Sequence, residues 1–190
     1  MKSKFVLLGV AVVAVLFVFT AAYVVDETEQ VVVTQFGKVV GKPKVESGLY
    51  FKIPFIQNTT YFPKNLLEWD GDPGQIPTLD KTYIWVDTFA RWRIVDSIKF
   101  FQTVNNTTSA QGRLDDIIDP AVRNLITENR LIETVRKTNR ELYTYEIGLE
   151  DIKARASYKI VIGRETITKK ILGQAQPKLA KFGIELVDVK

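Results

Sequence analysis

The sequence predicts an α+β protein: an N-terminal transmembrane helix, then a domain in two lobes, strand-rich first and helix-rich second. Three observations lead there. An uncharged apolar run opens the chain, β-branched and aromatic runs broken by Gly and Pro fill the next seventy residues, and a three-and-four apolar spacing takes over after Asp96. The segments follow as residues 1–25 (cytoplasmic tip and anchor), 26–96 (strand-rich lobe near the membrane) and 97–190 (helical lobe with a closing strand).

The opening run, Phe5 to Val25, has 21 residues and no charge. As a helix rising 1.5 Å per residue it covers roughly 31 Å, the thickness of a hydrocarbon core. A cleaved signal peptide is the competing reading, since Thr20-Ala21-Ala22 resembles a cleavage site. The run continues past the usual 7–15 apolar residues of such signals, which favours an uncleaved anchor. Lys2 and Lys4 precede the run and Asp26, Glu27 and Glu29 follow it, so the positive-inside rule leaves the N-terminus cytoplasmic and the remainder outside. Without those two lysines, 24 of the 26 basic residues face 22 acidic ones. Such a balance gives no reason to expect a nucleic-acid partner.

Beyond the anchor, "QVVVTQF", "KVVG" and "GLYFKIPF" read as an antiparallel meander. Residues 68–80, "EWDGDPGQIPTLD", read as a loop with turns. "YIWVDTFARWRIVD" reads as one long half-buried strand, with Ile84, Val86, Thr88, Ala90, Trp92 and Ile94 on its apolar face. Leu114, Ile117, Ile118, Ala121, Val122, Leu125 and Ile126 then mark an amphipathic helix that Pro120 either kinks or restarts. Thr138 to Glu141 has capping-box spacing for a further short helix. Ile167, Ile171, Ala175, Leu179 and Phe182 form one more stripe between Gly163 and Gly183, with Pro177 a kink, and "IELVDVK" closes as a strand.

Candidate chemistry is sparse. The chain has no Cys and no His, which removes thiol and imidazole catalysis and zinc sites built on either. Ser97 with Lys99 has the composition of a dyad but no motif around it. Asp115, Asp116 and Asp119 suit a metal less well than a solvated helix start. Asp70 to Gly74 lacks the alternating acids of a calcium loop and reads as a turn. Asn58-Thr59-Thr60 and Asn106-Thr107-Thr108 have the form of glycosylation acceptors. The expectation is no enzyme, no cofactor and no metal. The charged strip Thr134 to Glu141 reads as a solvated helix edge rather than a lateral contact.

In order, "DETEQVVVTQFGKVVG", "SGLYFKIPFI", "YIWVDTFARWRIVD", "RLDDIIDPAVRNLI" and "FGIELVDVK" resemble the SPFH (band 7) superfamily of stomatins, prohibitins and flotillins, and within it the bacterial HflC branch. The resemblance implies a non-catalytic scaffold on the bacterial inner membrane, with its domain periplasmic. It implies a large hetero-oligomer with an HflK-like paralogue and an FtsH-type AAA+ protease as partner. A stomatin-like homo-oligomer that organises lipid is the alternative. Family members continue into a long charged helix, which is absent before Lys190; either the chain is a piece or it lacks that wall.

One short apolar segment needs its own explanation. Residues 47–59 are greasy but too short to span, and they follow the anchor closely. Leu49, Phe51 and Ile53 share a strand face, which either packs in the core or meets lipid. Phe51, Lys52, Ile53, Phe55 and Ile56 are the expected membrane-surface contacts, with Lys52 snorkelling to headgroups.

Overall fold

The computed structural model describes residues 16–139 and 159–190. These fall into two compact units that interleave in sequence instead of meeting at one point near residue 96. Of the described residues, the first holds 16–67, 93–106 and 182–184; the second holds 68–92, 107–139, 159–181 and 185–190.

In the first unit a helix (α1) is described over residues 16–21 and passes straight into β1, Ala22–Val25. As sequence, those four residues read as the end of the span. They are apolar for a different reason: Tyr23 and Val25 are buried against Val31, with Val33 and Tyr50 packed on them. Hydropathy alone cannot separate a core strand from the end of a span. Among the described residues no helix is long and apolar enough to cross a membrane, and residues 1–15 lie outside them.

Residues 26–28 form a turn in which Asp26 accepts the Thr28 N–H at 3.0 Å, and β2 (Glu29–Gln35) begins at once. Then come β3 (Lys38–Val39), β4 (Gly48–Phe51) and β5 (Gln57–Pro63), arranged as a β3-β2-β5 sheet and a β1-β4 ribbon, both antiparallel. Val31 and Val32 are both fully buried, so β2 is covered on both faces. That explains its unbroken apolar run. The Gln30/Val32 face meets α2 (Ser97–Thr103), where Phe62 and Phe100 pack edge to face at 5.3 Å. Asp96 caps α2 by accepting the Lys99 N–H at 3.0 Å. Gly183 lies so close that a Cβ would sit 2.3 Å from the Asp96 carbonyl oxygen, and its φ is +74°. Only glycine fits there.

The second unit holds most of a β10-β9-β6 sheet, made by β6 (Leu67–Asp70), β9 (Phe89–Ile94) and β10 (Ile184–Val189). It also holds the hairpin of β7 (Gly74–Pro77) and β8 (Tyr83–Val86). Two expectations change here. The stretch 68–80 contains two strands because Trp69 and Ile76 are core residues. The predicted long strand breaks at Asp87-Thr88: its first half pairs with β7, its second lies between β10 and β6, and the Thr88 carbonyl accepts the Gly71 N–H. The alternation survives the break, with Ala90, Trp92 and Ile94 buried.

The helical stripes appear as spaced. In α3 (Thr107–Thr127) Leu114, Ile118, Ala121, Val122, Leu125 and Ile126 are buried, Ile117 is half-buried, and Pro120 sits inside the helix without ending it. After α4 (Leu131–Val135) comes α5 (Arg164–Leu179), which buries Ile167, Ile171, Ala175 and Leu179 and carries Pro177 in its last turn. The capping-box proposal at Thr138 to Glu141 runs into residues outside those described.

Glu133 joins α4 to the start of α5. Its buried carboxylate accepts the backbone N–H groups of Val161, Ile162 and Gly163 at 2.8, 2.8 and 2.7 Å. Burial alone would push this carboxyl up, but the three donors outweigh it and hold it below the usual glutamate value of 4.5. Asn139 adds a two-way pairing with the Ile160 backbone, and the Arg164 N–H donates to Arg136 O at 2.9 Å. Because the folded pKa is lowered, this contribution is complete above pH 4.5 and fades as pH falls. Glu133→Gln turns an acceptor into a donor facing N–H groups, and should cost about 2 kcal/mol at neutral pH. In urea titrations across pH, the gap between variant and parent should close on the acid side of pH 4.5.

Candidate membrane-contact surface

The surface is set by one register. Ala22 pairs with Phe51, Tyr23 with Tyr50, Val24 with Leu49 and Val25 with Gly48. Facing residues share a side of the ribbon, so Tyr23, Tyr50 and Val25 turn toward β2, with the two tyrosine rings stacked at 5.9 Å. Ala22, Val24, Leu49 and Phe51 are left on the outer side. Leu49 and Phe51 are 60% and 65% exposed and Ile53 is 49% exposed, so these three do not fill the core.

Past Phe51 the chain runs on beside α1, because the Lys52 N–H donates to the Ala21 carbonyl at 2.8 Å. Residues 53–56 close a turn in which the Gln57 N–H donates to Ile53 O, and the Ile53 N–H donates to the Gln57 side chain. Phe55 stands at its apex, 93% exposed with φ +67°; Ile56 is exposed next to it. The five expected contact residues are thus brought to one end of the unit, beside the helix exit.

Two residues were missed. Val24 is exposed on the ribbon's outer side, because it belongs to a strand the sequence reading did not separate from the span. Phe36 is 85% exposed in the β2–β3 turn, with φ +49° ahead of Gly37 at +79°. Gln35 pairs with Gln57, so the Phe36 and Phe55 turns leave the sheet at the same end. A bulky side chain at positive φ costs roughly 1–2 kcal/mol and such outliers gather at functional sites. Only a Phe-Gly dipeptide after a strand could have signalled it.

The other candidates behave differently. Ser97 is buried while the exposed Lys99 ammonium lies 3.5 Å from Asp96, so the two do not form a nucleophile–base pair. Asp115 accepts the Trp69 indole N–H at 2.7 Å, and Asp116 lies 3.7 Å from Arg113. Burial, with the Asp115 charge beside it, pushes Asp119 up. Asp115 also lines a cleft of about 330 Å³ with Glu68, Asp70, Asp72 and Gln111, yet among the described residues no acidic group is arranged to hold a metal ion. Asp70 to Gly74 is the bend between β6 and β7.

A profile of the SPFH domain / Band 7 family matches residues 23–190. Protein HflC of Borreliella burgdorferi is 38% identical over 180 residues, covering 92% of this chain and 55% of that protein. Protein HflC of Treponema pallidum is 36% identical over 178 residues, covering 88% and 54%. The Escherichia coli K12 protein named Modulator of FtsH protease HflC is 26% identical over 211 residues, covering 96% and 61%. The chain therefore spans a little over half the length of these curated relatives. It belongs to the SPFH domain / Band 7 family.

Proposed function

We propose that this chain is the membrane-anchored SPFH portion of an HflC-type subunit: a non-catalytic scaffold that assembles with an HflK-like paralogue and modulates an FtsH-type protease. The observation that carries it is similarity to proteins named HflC along nearly the whole chain, one of them named as a modulator of FtsH protease.

The anchor is residues 5–21, the part of the apolar run that precedes β1. A helix of that length would reach roughly 25 Å, the short end of the spanning range. The lip of Phe51, Lys52, Ile53, Phe55 and Ile56, joined by Phe36, then dips into the interface beside the helix exit, in the extracytoplasmic leaflet of the bacterial inner membrane. What supports this reading is the exposure of the five apolar side chains, with Lys52 half-buried among them, and the hydrogen bond from the Lys52 N–H to the Ala21 carbonyl, which leaves no slack between anchor and lip.

Pull-down of the tagged chain from detergent-solubilised membranes, read by mass spectrometry, tests the assembly. An HflK-like protein and an FtsH-type protease should co-purify; a lone homo-oligomer would favour a stomatin-like lipid organiser instead. For the lip, a chain beginning at Ala22 and carrying Phe55→Asp with Ile56→Asp should bind liposomes at least tenfold more weakly, since each lost apolar side chain forfeits about 1.5–3 kcal/mol when fully buried. Unchanged binding, with circular dichroism showing both chains folded, would reject the lip.

A further inference from the structure

Charge is sorted along the strands of the first unit. At the end away from α1 lie Asp26, Glu27, Glu29 and Glu46: Val25 pairs with Gly48 and Glu29 with Pro63, which puts these acids beside those positions. Lys64 is at that end too, with its ammonium 3.4 Å from Glu27. At the α1 end the charged residues are Lys38, paired across from Gln35, and Lys52, hydrogen-bonded to Ala21. Neither lysine is in an ion pair among the described residues. Between Gln30 and Leu67 the only acidic residue is Glu46, at the far end. Lys44, opposite Val31 midway along, lies over the Tyr50 ring at 5.3 Å.

We propose that the lip selects anionic phospholipid headgroups through Lys38 and Lys52. This rests on the membrane contact proposed above and adds the class of lipid it prefers. Six residues of β2 separate the two ends, about 20 Å at the rise of a strand. A Debye length in physiological salt is about 8 Å, so the distant acids are screened and do not cancel the lysines at the surface. Phe36 and Phe55 flank the lysines and fix their depth: with the rings among the upper acyl carbons, the ammonium groups reach the phosphate layer. A headgroup carrying net negative charge is then favoured over a zwitterionic one, whose own cation competes for the phosphate.

Residues 1–190 contain no Cys, so Phe55→Cys in this chain, anchor included, can carry a single fluorophore. The labelled protein, reconstituted in phosphatidylcholine vesicles, is quenched by lipids spin-labelled on the acyl chain and bearing either a phosphatidylglycerol or a phosphatidylcholine headgroup. At low salt the glycerol lipid should be enriched at the label about fivefold, and the preference should fall toward unity in 0.5 M NaCl and in Lys38→Gln with Lys52→Gln. No quenching by either lipid overturns the lip and this inference with it. Equal quenching by both leaves the lip standing and overturns the headgroup preference. A preference that survives the double substitution overturns the role of these two lysines.

Discussion

Antiparallel pairing of residues 22–25 with 48–51 is the constraint on which the first unit depends. It takes the last four residues of an apolar run and makes them a core strand, with Tyr23 and Val25 inside. The same register extends one residue further, tying Lys52 to Ala21. Helix exit, ribbon and lip are thereby a single hydrogen-bonded piece, and what the ribbon shows on its outer side is decided by which residues β2 needs on its inner side. Exposed Leu49 and Phe51 are a consequence of buried Tyr50, because successive side chains of a strand point to opposite faces.

A similar economy holds the second unit, where a carboxylate replaces apolar contact. Glu133 caps the backbone N–H groups leading into α5, a helix whose N-cap residue, Gly163, has no side chain to do so. The bidentate pairing of Arg91 with Asp188 and the indole N–H of Trp92 on the Glu68 carbonyl tie β9 to β10 and β6 across the sheet. In the regions of Ser97 and Asp115, carboxylates have structural work: Asp96 caps the helix that begins at Ser97, and Asp115 accepts an indole N–H.

The helical stripes were legible because their cause is local. Ile167, Ile171, Ala175 and Leu179 recur every four residues whatever else the chain does, and they are buried. What could not be read depends on partners distant in sequence. Nothing in Ala22–Val25 distinguishes a strand from the end of a span until β4 is known. Trp69 and Ile76 looked like loop residues because Gly, Pro and Asp surround them, and only their burial shows otherwise. The change of sheet at Thr88 depends on Gly71, and Glu133 on residues some thirty positions later. Of the candidate surface, the five residues near Pro54 were visible as a greasy segment. Phe36 was not, since its place beside Phe55 comes from the pairing of Gln35 with Gln57.

Everything proposed for the lip requires that the helix stop at Ala21 and that Val24 face Leu49. Cysteines at those two positions test it directly, in a chain otherwise free of cysteine. Facing residues of antiparallel strands have Cα atoms about 4.5–5.5 Å apart, within the span of a disulfide. Mild oxidation of Val24→Cys with Leu49→Cys in membranes should give an intramolecular disulfide in nearly all molecules, and Val24→Cys with Tyr50→Cys, whose side chains point to opposite faces, should give little. Absence of the first bond, with both thiols still reactive, would mean that residues 22–25 continue the helix and that the lip is not tied to its exit.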